Sequence, residues 1–431
     1  MSKELIGVLC IVVLIVMICL RWWIAAAMAI IGFVGIWLVQ GFPQACSALA
    51  IAPFANLSNY TISAVPMFAL MGMVIAETNI GRDLYRAMYR FFGRFRGGMA
   101  SATVTAAGIL GAITGAEDVA AVIMTKIALP QMREMGYDDE LSTASIAGGS
   151  PLAIIIPPSM PLILFGMLTE TNVAKLFIGG VVPGIILIIC FICAITLVCT
   201  RHPEKGPKGP KFTWKEKLQA LGGCLPILIL FLCVLGGIYG GICTTTEAGA
   251  FGAMGALIIA FVTRQMNIKK LWGILCEAVK TVGMILFLIA GTYVFIQFLN
   301  ASRLPQFVTE WITATFNSTG TVLLMVALLY IVLGMVMPQM CMMMLTVPIL
   351  WPAMQALDMH YIWFGIFVTM MQGLGGVTPP IGMLAYMVSG MARVNALKVF
   401  KGLIPFIVAY LFVILLICVF PALVTFLPSF M

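Results

Sequence analysis

Two pairs of adjacent prolines, Pro157-Pro158 and Pro379-Pro380, each interrupt a long apolar stretch of the sequence. Proline has no backbone N–H, so a helix that meets such a pair loses the donors for two carbonyl groups in its preceding turn. Unpaired backbone is costly in hydrocarbon and is tolerated at membrane depth only where it lines a cavity or is buried in protein. The two pairs therefore predict two broken helices whose free backbone groups form a binding site.

The first chemistry expected at these breaks is cation binding. Carbonyl oxygens without a donor at the end of a half-helix form a partly negative cluster that suits Na⁺. The carbonyls expected to lose their donors belong to Ala153, Ile154, Gly375 and Gly376. Ser159 and Thr378 flank the breaks and carry hydroxyl oxygens, so these two residues join the two glycines as candidate Na⁺ ligands.

The second expected chemistry is anion binding. A half-helix that resumes after each proline pair, near Ser159 and near Ile381, presents unpaired N–H groups and the positive end of its dipole. A single proline kink is explained by packing alone, whereas two symmetric interruptions favour a site for an ion and a solute.

The elements that position these breaks are membrane helices. Of the 431 residues 62% are hydrophobic and 9% are charged, whereas soluble domains are about 45–50% apolar and about 25% charged. The sequence thus predicts an all-α polytopic membrane protein. Ten apolar segments have spanning length: 4–20, 22–41, 55–77, 141–169, 173–200, 218–241, 244–263, 273–299, 360–391 and 397–427.

Two further apolar regions, 101–130 and 319–357, are divided in the middle and predict re-entrant helical hairpins. The first divides at Thr114-Gly115 into arms of about 13 residues, roughly 20 Å of helix, which is too short for a hydrocarbon core of about 30 Å. The second divides near Met337-Pro338 and has longer arms, so it is interpreted as a hairpin by its similarity to the first.

The sequence lacks the residues that several functional classes require. The chain has two histidines, His202 and His360, and its twelve cysteines form no CxxC or zinc-type cluster. No HExxH, GxSxG or GxxxxGK[ST] motif is present. The sequence therefore predicts a protein that is not an enzyme and that holds no nucleotide and no catalytic metal.

The basic residues predict the orientation. When the ten spans are threaded, most loop lysines and arginines fall on one face, including the cluster at 82–96 and the loop at 201–217. Only Lys3, Lys175 and Arg303 fall on the other face. By the positive-inside rule the basic face is cytoplasmic, and both termini lie on the opposite side. This asymmetry explains the net charge of +8 without nucleic acid.

The sequence contains an internal repeat. The two proline pairs are 222 residues apart, "KLFIGG" at 175–180 is similar to "KVFKGL" at 398–403, and "LPQM" at 129–132 to "WPAM" at 351–354. An odd number of crossings separates the two copies, so the repeat is inverted, a pattern typical of secondary transporters with a site at the midplane. The predicted divisions are 1–54 (N-terminal scaffold spans), 55–200 (first repeat, hairpin 101–130, break at 157–159), 201–217 (cytoplasmic loop), 218–263 (linking spans) and 264–431 (second repeat, hairpin 319–357, break at 378–380).

From about residue 20 to the C-terminus the sequence resembles the large membrane subunit of tripartite ATP-independent periplasmic (TRAP) transporters. The motifs that carry the resemblance are "RGGMASATVTAAGILGAITG" (96–115), "IIIPPSMPLILFGML" (154–168), "KLFIGGVVPGIIL" (175–187), "GGICTTTEAGAFGA" (240–253) and "GGVTPPIGMLAYMVSGMA" (375–392). The resemblance implies a Na⁺-driven elevator in the bacterial inner membrane. It also implies two partners, a small four-helix membrane subunit and a periplasmic substrate-binding protein.

The hairpin tips depart from the family pattern. The first tip, usually Ser-Gly-Ser, is Thr114-Gly115-Ala116 and is followed by two acidic residues. The second tip, commonly Met-Asp-Gly, is Met337-Pro338-Gln339. Thr114 still offers a hydroxyl, a further candidate Na⁺ ligand, and Gln339 a carbonyl oxygen. Substrate contacts are therefore expected at Thr114, Gly115, Met337, Pro338 and Gln339, and a substrate outside the dicarboxylate and sialic-acid classes is plausible.

Charged residues near the first hairpin are functional candidates, because ionisable groups are costly inside membranes. These are Glu117, Asp118 and Lys126, of which Lys126 can reach the cytoplasmic mouth. Glu247, in the Thr-x-Thr-Glu-Ala turn of the family, is expected to cap a helix start.

The expected function is Na⁺-coupled, binding-protein-dependent uptake of a small organic anion, a carboxylate or a sulfonate. The nearest alternative is a stand-alone anion symporter of the same superfamily, coupled to Na⁺ or H⁺. A membrane-embedded enzyme or respiratory subunit and a passive channel are more distant alternatives.

Overall fold

The computed structural model describes residues 2–316 and 318–431. Regular structure in this part of the chain is helical, apart from one isolated backbone bridge between Arg96 and Lys208. The first half contains α1 (Lys3–Cys19), α2 (Ile24–Gln40), α3 (Phe42–Leu57), α4 (Ala64–Ala76), α5 (Ile80–Phe92), α6 (Gly98–Thr114), α7 (Glu117–Glu134), α8 (Asp139–Gly149), α9 (Leu152–Ile155), α10 (Met160–Leu168) and α11 (Val173–Arg201).

The second half continues the all-helical pattern. It contains α12 (Trp214–Tyr239), α13 (Thr245–Val262), α14 (Ile268–Ser302), α15 (Leu304–Thr315), α16 (Thr319–Val336), α17 (Gln339–Ala356), α18 (Tyr361–Val377), α19 (Met383–Ala392), α20 (Ala396–Val419) and α21 (Ala422–Thr425). Short 3₁₀ turns cover Tyr60–Ser63 and Leu427–Phe430. The predicted fold class, an all-α polytopic membrane protein, is confirmed.

Fewer helices than predicted are long and apolar enough to cross a membrane. In the described chain seven stretches meet both conditions when α8, α9 and α10 are counted as one span, or eight if the bent pair of α3 and α4 is also one span, against ten predicted spans. The predicted spans 4–20 and 22–41 form helices of 17 residues each. The predicted span 360–391 is divided between α18 and α19, while α16, predicted as a hairpin arm, has the length and hydropathy of a span.

The predicted span 55–77 is wrong. The chain bends by 62° between α3 and α4, and most of α3 lies in residues 42–54, to which no predicted span was assigned. The predicted boundary at residue 54 therefore falls inside α3. The loop predicted at 201–217 is shorter, because α11 extends through Arg201 and α12 begins at Trp214. The last span, predicted to reach residue 427, ends at Val419.

One group of helices is built around α14. It packs along α2 and also contacts α1, α3 and α4, while α13 packs on α4 and α12. The start of α13 carries the predicted cap: the Thr244 hydroxyl accepts the Glu247 N–H, and the Glu247 carboxylate accepts the Thr244 N–H at 2.8 Å. This capping box satisfies backbone donors that the helix start would leave unpaired.

A second group contains the two proline pairs. Helix α8 packs on α20, α11 on α20 and α6, and α16 on α18. Aromatic side chains hold this group together: Phe191 packs against Phe406 and Tyr410, and Trp351 against Phe165 and Phe364. The helix α5 contacts both groups through α12 and α6.

The segment between α11 and α12 packs on the ends of α5, α6 and α8. Its carbonyl oxygens at Lys205 and Gly206 accept the N–H groups of Asp138 and Gly97 at 3.1 and 3.2 Å. The Tyr137 hydroxyl donates to the Pro207 carbonyl at 3.0 Å, and burial raises the pKa of this tyrosine to about 12. These hydrogen bonds thus hold the segment against one face of the molecule.

Candidate functional site

The first break separates α9 from α10 at the proline pair, and both prolines are buried. Ser159 caps α10: its hydroxyl donates to the Ile154 carbonyl at 2.5 Å and accepts the Leu162 N–H at 3.4 Å. The expectation that the Ile154 carbonyl is free is therefore wrong, because a side chain replaces the missing backbone donor. The Ala153 carbonyl accepts no hydrogen bond from the described residues.

The second break separates α18 from α19. The Thr378 N–H donates to the Gly375 carbonyl at 3.2 Å, so the expectation that this oxygen is free is also wrong. The Thr378 hydroxyl donates to the Leu374 carbonyl at 2.6 Å. Within the described chain the Gly376 carbonyl has no donor. Each break thus keeps one of the two oxygens predicted to be free.

The two breaks differ in length and exposure. The second half-helix was expected to start near Ile381, but α19 begins at Met383 because Gly382 still occupies a non-helical conformation. Pro379 and Pro380 are exposed, unlike the first pair. Both proline pairs contain a cis peptide bond. The second break opens to the surface of the protein, and the first is enclosed.

The tip of the first hairpin lies against the first break. Gly115, in the left-handed region with φ of 66°, forms the turn between α6 and α7, and its carbonyl accepts the Met160 N–H at 3.4 Å. Thr114 is buried, and its hydroxyl lies 3.4 Å from the carbonyl oxygens of Gly111 and Ala116. The arms are longer than predicted, with 17 and 18 residues, or roughly 26 Å of helix each.

The tip of the second hairpin lies against the second broken helix. Met337 is buried and Pro338 is exposed between α16 and α17. The backbone carbonyl of Gln339 accepts a hydrogen bond from Nε2 of Gln372, on α18, at 3.2 Å. The structure therefore brings the predicted residues of this tip to the helix that ends at the second proline pair.

Each hairpin touches its neighbouring broken helix through a glycine. A Cβ added to Gly111 on α6 would overlap the backbone and Cβ of Ala153. A Cβ added to Gly334 on α16 would lie 2.8 Å from the Cα of Gly375. Only glycine allows so close an approach of two backbones. The partners Ala153 and Gly375 are as far apart in sequence as the two proline pairs.

Four polar side chains converge between the two hairpin tips, and we call them the central polar cluster: Glu117, Gln339, Gln372 and Tyr410. Sequence reasoning named Glu117 and Gln339 and missed Gln372 and Tyr410. The available signal was an amide, Gln372, in the middle of the apolar stretch of α18. Asp118 and Lys126, the other two charged candidates, are exposed.

The site offers oxygen ligands and helix starts, but no ligand cluster for a transition metal. Among residues 2–316 and 318–431, no three His, Cys, Asp or Glu side chains come together. The Thr114, Ser159 and Thr378 hydroxyls and the remaining carbonyls are the oxygen donors that a hard cation prefers. The start of α19 provides N–H groups of the kind that bind anions. At the start of α10 the Met160 N–H is bonded to Gly115, Pro161 has no N–H and the Leu162 N–H is bonded to Ser159, so the expectation of unpaired N–H groups near Ser159 is wrong.

Known proteins provide an independent test of family. The family model for the tripartite ATP-independent periplasmic transporter, DctM component, matches residues 11–423. The C4-dicarboxylate TRAP transporter large permease protein DctM of Vibrio cholerae is 31% identical over 397 residues, which are 87% of each chain. The ectoine TRAP transporter large permease protein TeaC of Halomonas elongata is 27% identical over 401 residues, 93% of each chain.

A solved structure supports the fold. The YdaH transporter of Alcanivorax borkumensis has a TM-score of 0.64 at 13% sequence identity, and the match covers 90% of this chain and 88% of that one. This likeness shows a shared architecture only. The match over nearly the whole sequence shows that the chain belongs to the DctM component family of tripartite ATP-independent periplasmic transporters, which are multi-pass permeases of the inner membrane and not enzymes.

Proposed function

We propose that this chain is the large permease of a Na⁺-coupled transporter that imports a small organic anion, a carboxylate or a sulfonate, delivered by a periplasmic binding protein. The observation that carries the proposal is the meeting of both hairpin tips with both proline breaks. At these places unpaired carbonyl oxygens, hydroxyls and the start of α19 lie in an apolar protein. Such backbone is retained where it binds a solute and an ion.

The substrate class also draws on relatives. Permeases 25–31% identical to this chain are named for C4-dicarboxylates, sialic acid, isethionate and ectoine. Carboxylates and a sulfonate are among these compounds, and the helix start at Met383 suits their anionic groups. The assembly is expected to contain a small four-helix membrane subunit and the binding protein.

An inverted repeat and an elevator motion belong to the same proposal. Two observations support the repeat. Gly111 contacts Ala153 in the first copy, and Gly334 contacts Gly375 in the second, and the corresponding residues of the two copies are separated in sequence by nearly the same distance as the two proline pairs. The hairpins and broken helices pack as one group beside the group around α14. In this mechanism the group with the hairpins and broken helices carries ion and solute past the group around α14. The exposed break between α18 and α19 provides access from one side.

The orientation follows from the basic face. The arginines of α5 and the lysines of the segment between α11 and α12 lie on the same face, where the two elements are hydrogen-bonded through Gly209 N–H and the Gly93 carbonyl at 3.0 Å. This face is cytoplasmic by the positive-inside rule, and both termini are then periplasmic.

The proposal is tested by reconstitution of the chain with its small membrane subunit in proteoliposomes. Uptake of the ligand identified on the cognate binding protein is expected only when that protein is added outside and an inward Na⁺ gradient is present. Counterflow should also be observed, because alternating access couples the two directions of movement. Equal uptake without the binding protein would favour the stand-alone symporter, and flux without counterflow would favour a channel.

Replacement of Thr378 by valine is expected to raise the Na⁺ concentration for half-maximal uptake about tenfold, which corresponds to about 1.4 kcal/mol. The Thr378 hydroxyl uses its hydrogen to bond the Leu374 carbonyl, so its lone pairs remain available to an ion. Valine keeps the shape and removes that oxygen. The measurement is initial uptake as a function of external Na⁺.

The matched control is Thr369→Val, two turns earlier on the same helix. Thr369 is buried, and its hydroxyl donates to the Gly365 carbonyl at 2.8 Å, away from the break. This variant should keep the wild-type Na⁺ dependence. If Thr378→Val also keeps it, Thr378 is not an ion ligand.

A further inference from the structure

The central polar cluster is unusual because each of its four members has a buried polar atom without a hydrogen-bond partner in the described chain. These atoms are Oε2 of Glu117, Nε2 of Gln339, Oε1 of Gln372 and the hydroxyl of Tyr410. Gln372 and Tyr410 are 0% and 1% exposed. Buried polar groups are normally hydrogen-bonded, so four such atoms in one place indicate a polar partner from outside the chain, either water or a ligand.

The four side chains come from different helices and meet at the last turns of α18. Glu117 Oε1 and Gln339 Nε2 lie 3.6 and 3.9 Å from the position of a Cβ on Gly376. Gln372 lies one turn earlier on the same face, and its Nε2 is bonded to the Gln339 carbonyl. The Tyr410 hydroxyl contacts the neighbouring Gly373. The cluster thus lies between the two hairpin tips, directly before the second break.

Helix capping does not explain Glu117. It is the first residue of α7, where a carboxylate favours the helix dipole. However, the exposed Asp118 already caps the start of α7, because its Oδ1 accepts the Val119 N–H at 2.9 Å. Glu117 points instead toward Gly376, and no ion pair in the described chain includes it. A carboxylate without a counter-ion in an apolar surrounding is costly, and either a proton or a positively charged group of a ligand relieves that cost.

We propose that the transported solute is zwitterionic: a small carboxylate or sulfonate that also carries a protonated amino or imino nitrogen. This inference rests on the proposed function and narrows its substrate. Glu117 Oε2 and Gln372 Oε1 accept hydrogen bonds from the nitrogen, while Gln339 Nε2 and the Tyr410 hydroxyl donate to the anionic group. A bare metal cation would leave the Gln339 donor unused, and a dianion would meet the Glu117 carboxylate with no arginine or lysine in the cluster.

The test compares acids that differ only in the nitrogen. Cells with the complete transporter, and matched cells without this chain, receive a defined mixture in which each amino acid or aminosulfonate is paired with its hydroxy counterpart, such as taurine with isethionate. Mass spectrometry measures which compounds disappear from the medium. The chain-dependent compounds are expected to carry the nitrogen.

Substitutions test which residues recognise the nitrogen of the solute. Glu117→Gln is expected to lower uptake of the preferred compound at least about tenfold, because it removes the negative charge that faces the nitrogen. Glu117→Asp should retain part of the uptake, and Glu277→Gln, an exposed carboxylate on α14, should retain all of it. If Glu117→Gln does not reach the membrane, Tyr410→Phe and the wild-type preference still test the site.

The possible results separate the two proposals. Chain-dependent uptake of hydroxy acids equal to that of their amino partners would overturn the zwitterion and leave the proposed function intact. Unchanged nitrogen preference in Glu117→Gln would overturn the role of Glu117. If no compound depends on the chain, the proposed function itself fails, and the inference fails with it.

Discussion

Replacement of Gly111 by valine is expected to reduce uptake at least tenfold while the protein still reaches the membrane. The Cβ alone would overlap the backbone of Ala153, and valine adds two further methyl groups. Overpacking of this kind costs about 1–3 kcal/mol and moves the backbone. The first hairpin would be pushed away from the first break, so the Gly115 carbonyl would lose the Met160 N–H.

The mirror variant, Gly334→Val, should have a similar effect, because its Cβ would lie 2.8 Å from the Gly375 Cα at the second break. Gly283→Val is the control: this glycine lies in the exposed face of α14, and nothing lies within 4 Å of its added Cβ. Initial uptake is normalised to the amount of monodisperse protein extracted from the membrane, which separates loss of transport from loss of folding.

A compensating pair makes the Gly111 prediction specific. Gly111→Ala alone should impair uptake, because its Cβ overlaps the Cβ of Ala153. The double variant Gly111→Ala with Ala153→Gly removes the overlap between the two Cβ atoms but leaves the new Cβ 2.4 Å from the Cα of residue 153, so it should recover only part of that loss. Coupling between neighbouring residues appears as such non-additivity. Strictly additive effects would show that the overlap between the two Cβ atoms is not what impairs the single variant.

Much of the fold follows from local rules that the sequence displays. The interruptions lie at the proline pairs because proline removes donors, and Glu247 caps α13 because Thr244 precedes it by three residues. No span was predicted for residues 42–54, which form most of α3 and contain Pro43 and Pro53. In the structure Pro43 lies in the first turn, where proline is tolerated. A proline at a helix start and a proline inside a helix thus have different structural roles, and composition alone does not distinguish them.

The site was less predictable, because its geometry depends on contacts between distant parts of the chain. Ser159 before a helix start could be recognised as a cap, but its bond to the Ile154 carbonyl depends on the path of the chain around the prolines. Glu117, Gln372 and Tyr410 share no local motif, and only the packing of α7, α18 and α20 brings them together. Tertiary contacts of this kind are invisible to periodicity.

Replacement of external Na⁺ by K⁺ is expected to lower uptake by the complete transporter to the level of protein-free liposomes. The unpaired carbonyls of Ala153 and Gly376, with the Thr114 and Thr378 hydroxyls, provide oxygens at two places. If one ion binds at each break, the initial rate of uptake is expected to rise more steeply than linearly with the Na⁺ concentration. Each ion that crosses down a tenfold gradient supplies about 1.4 kcal/mol for accumulation.

The membrane potential must be clamped in this experiment, so that K⁺ changes only the identity of the cation. An inward proton gradient in the K⁺ buffer is the decisive comparison, because Glu117 gives the chain a buried carboxylate that a proton could neutralise. Restoration of uptake by that gradient would assign the coupling to H⁺. Unchanged uptake in K⁺ without any gradient would show that neither break binds a driving ion, since occupation of the oxygens would then contribute nothing to transport.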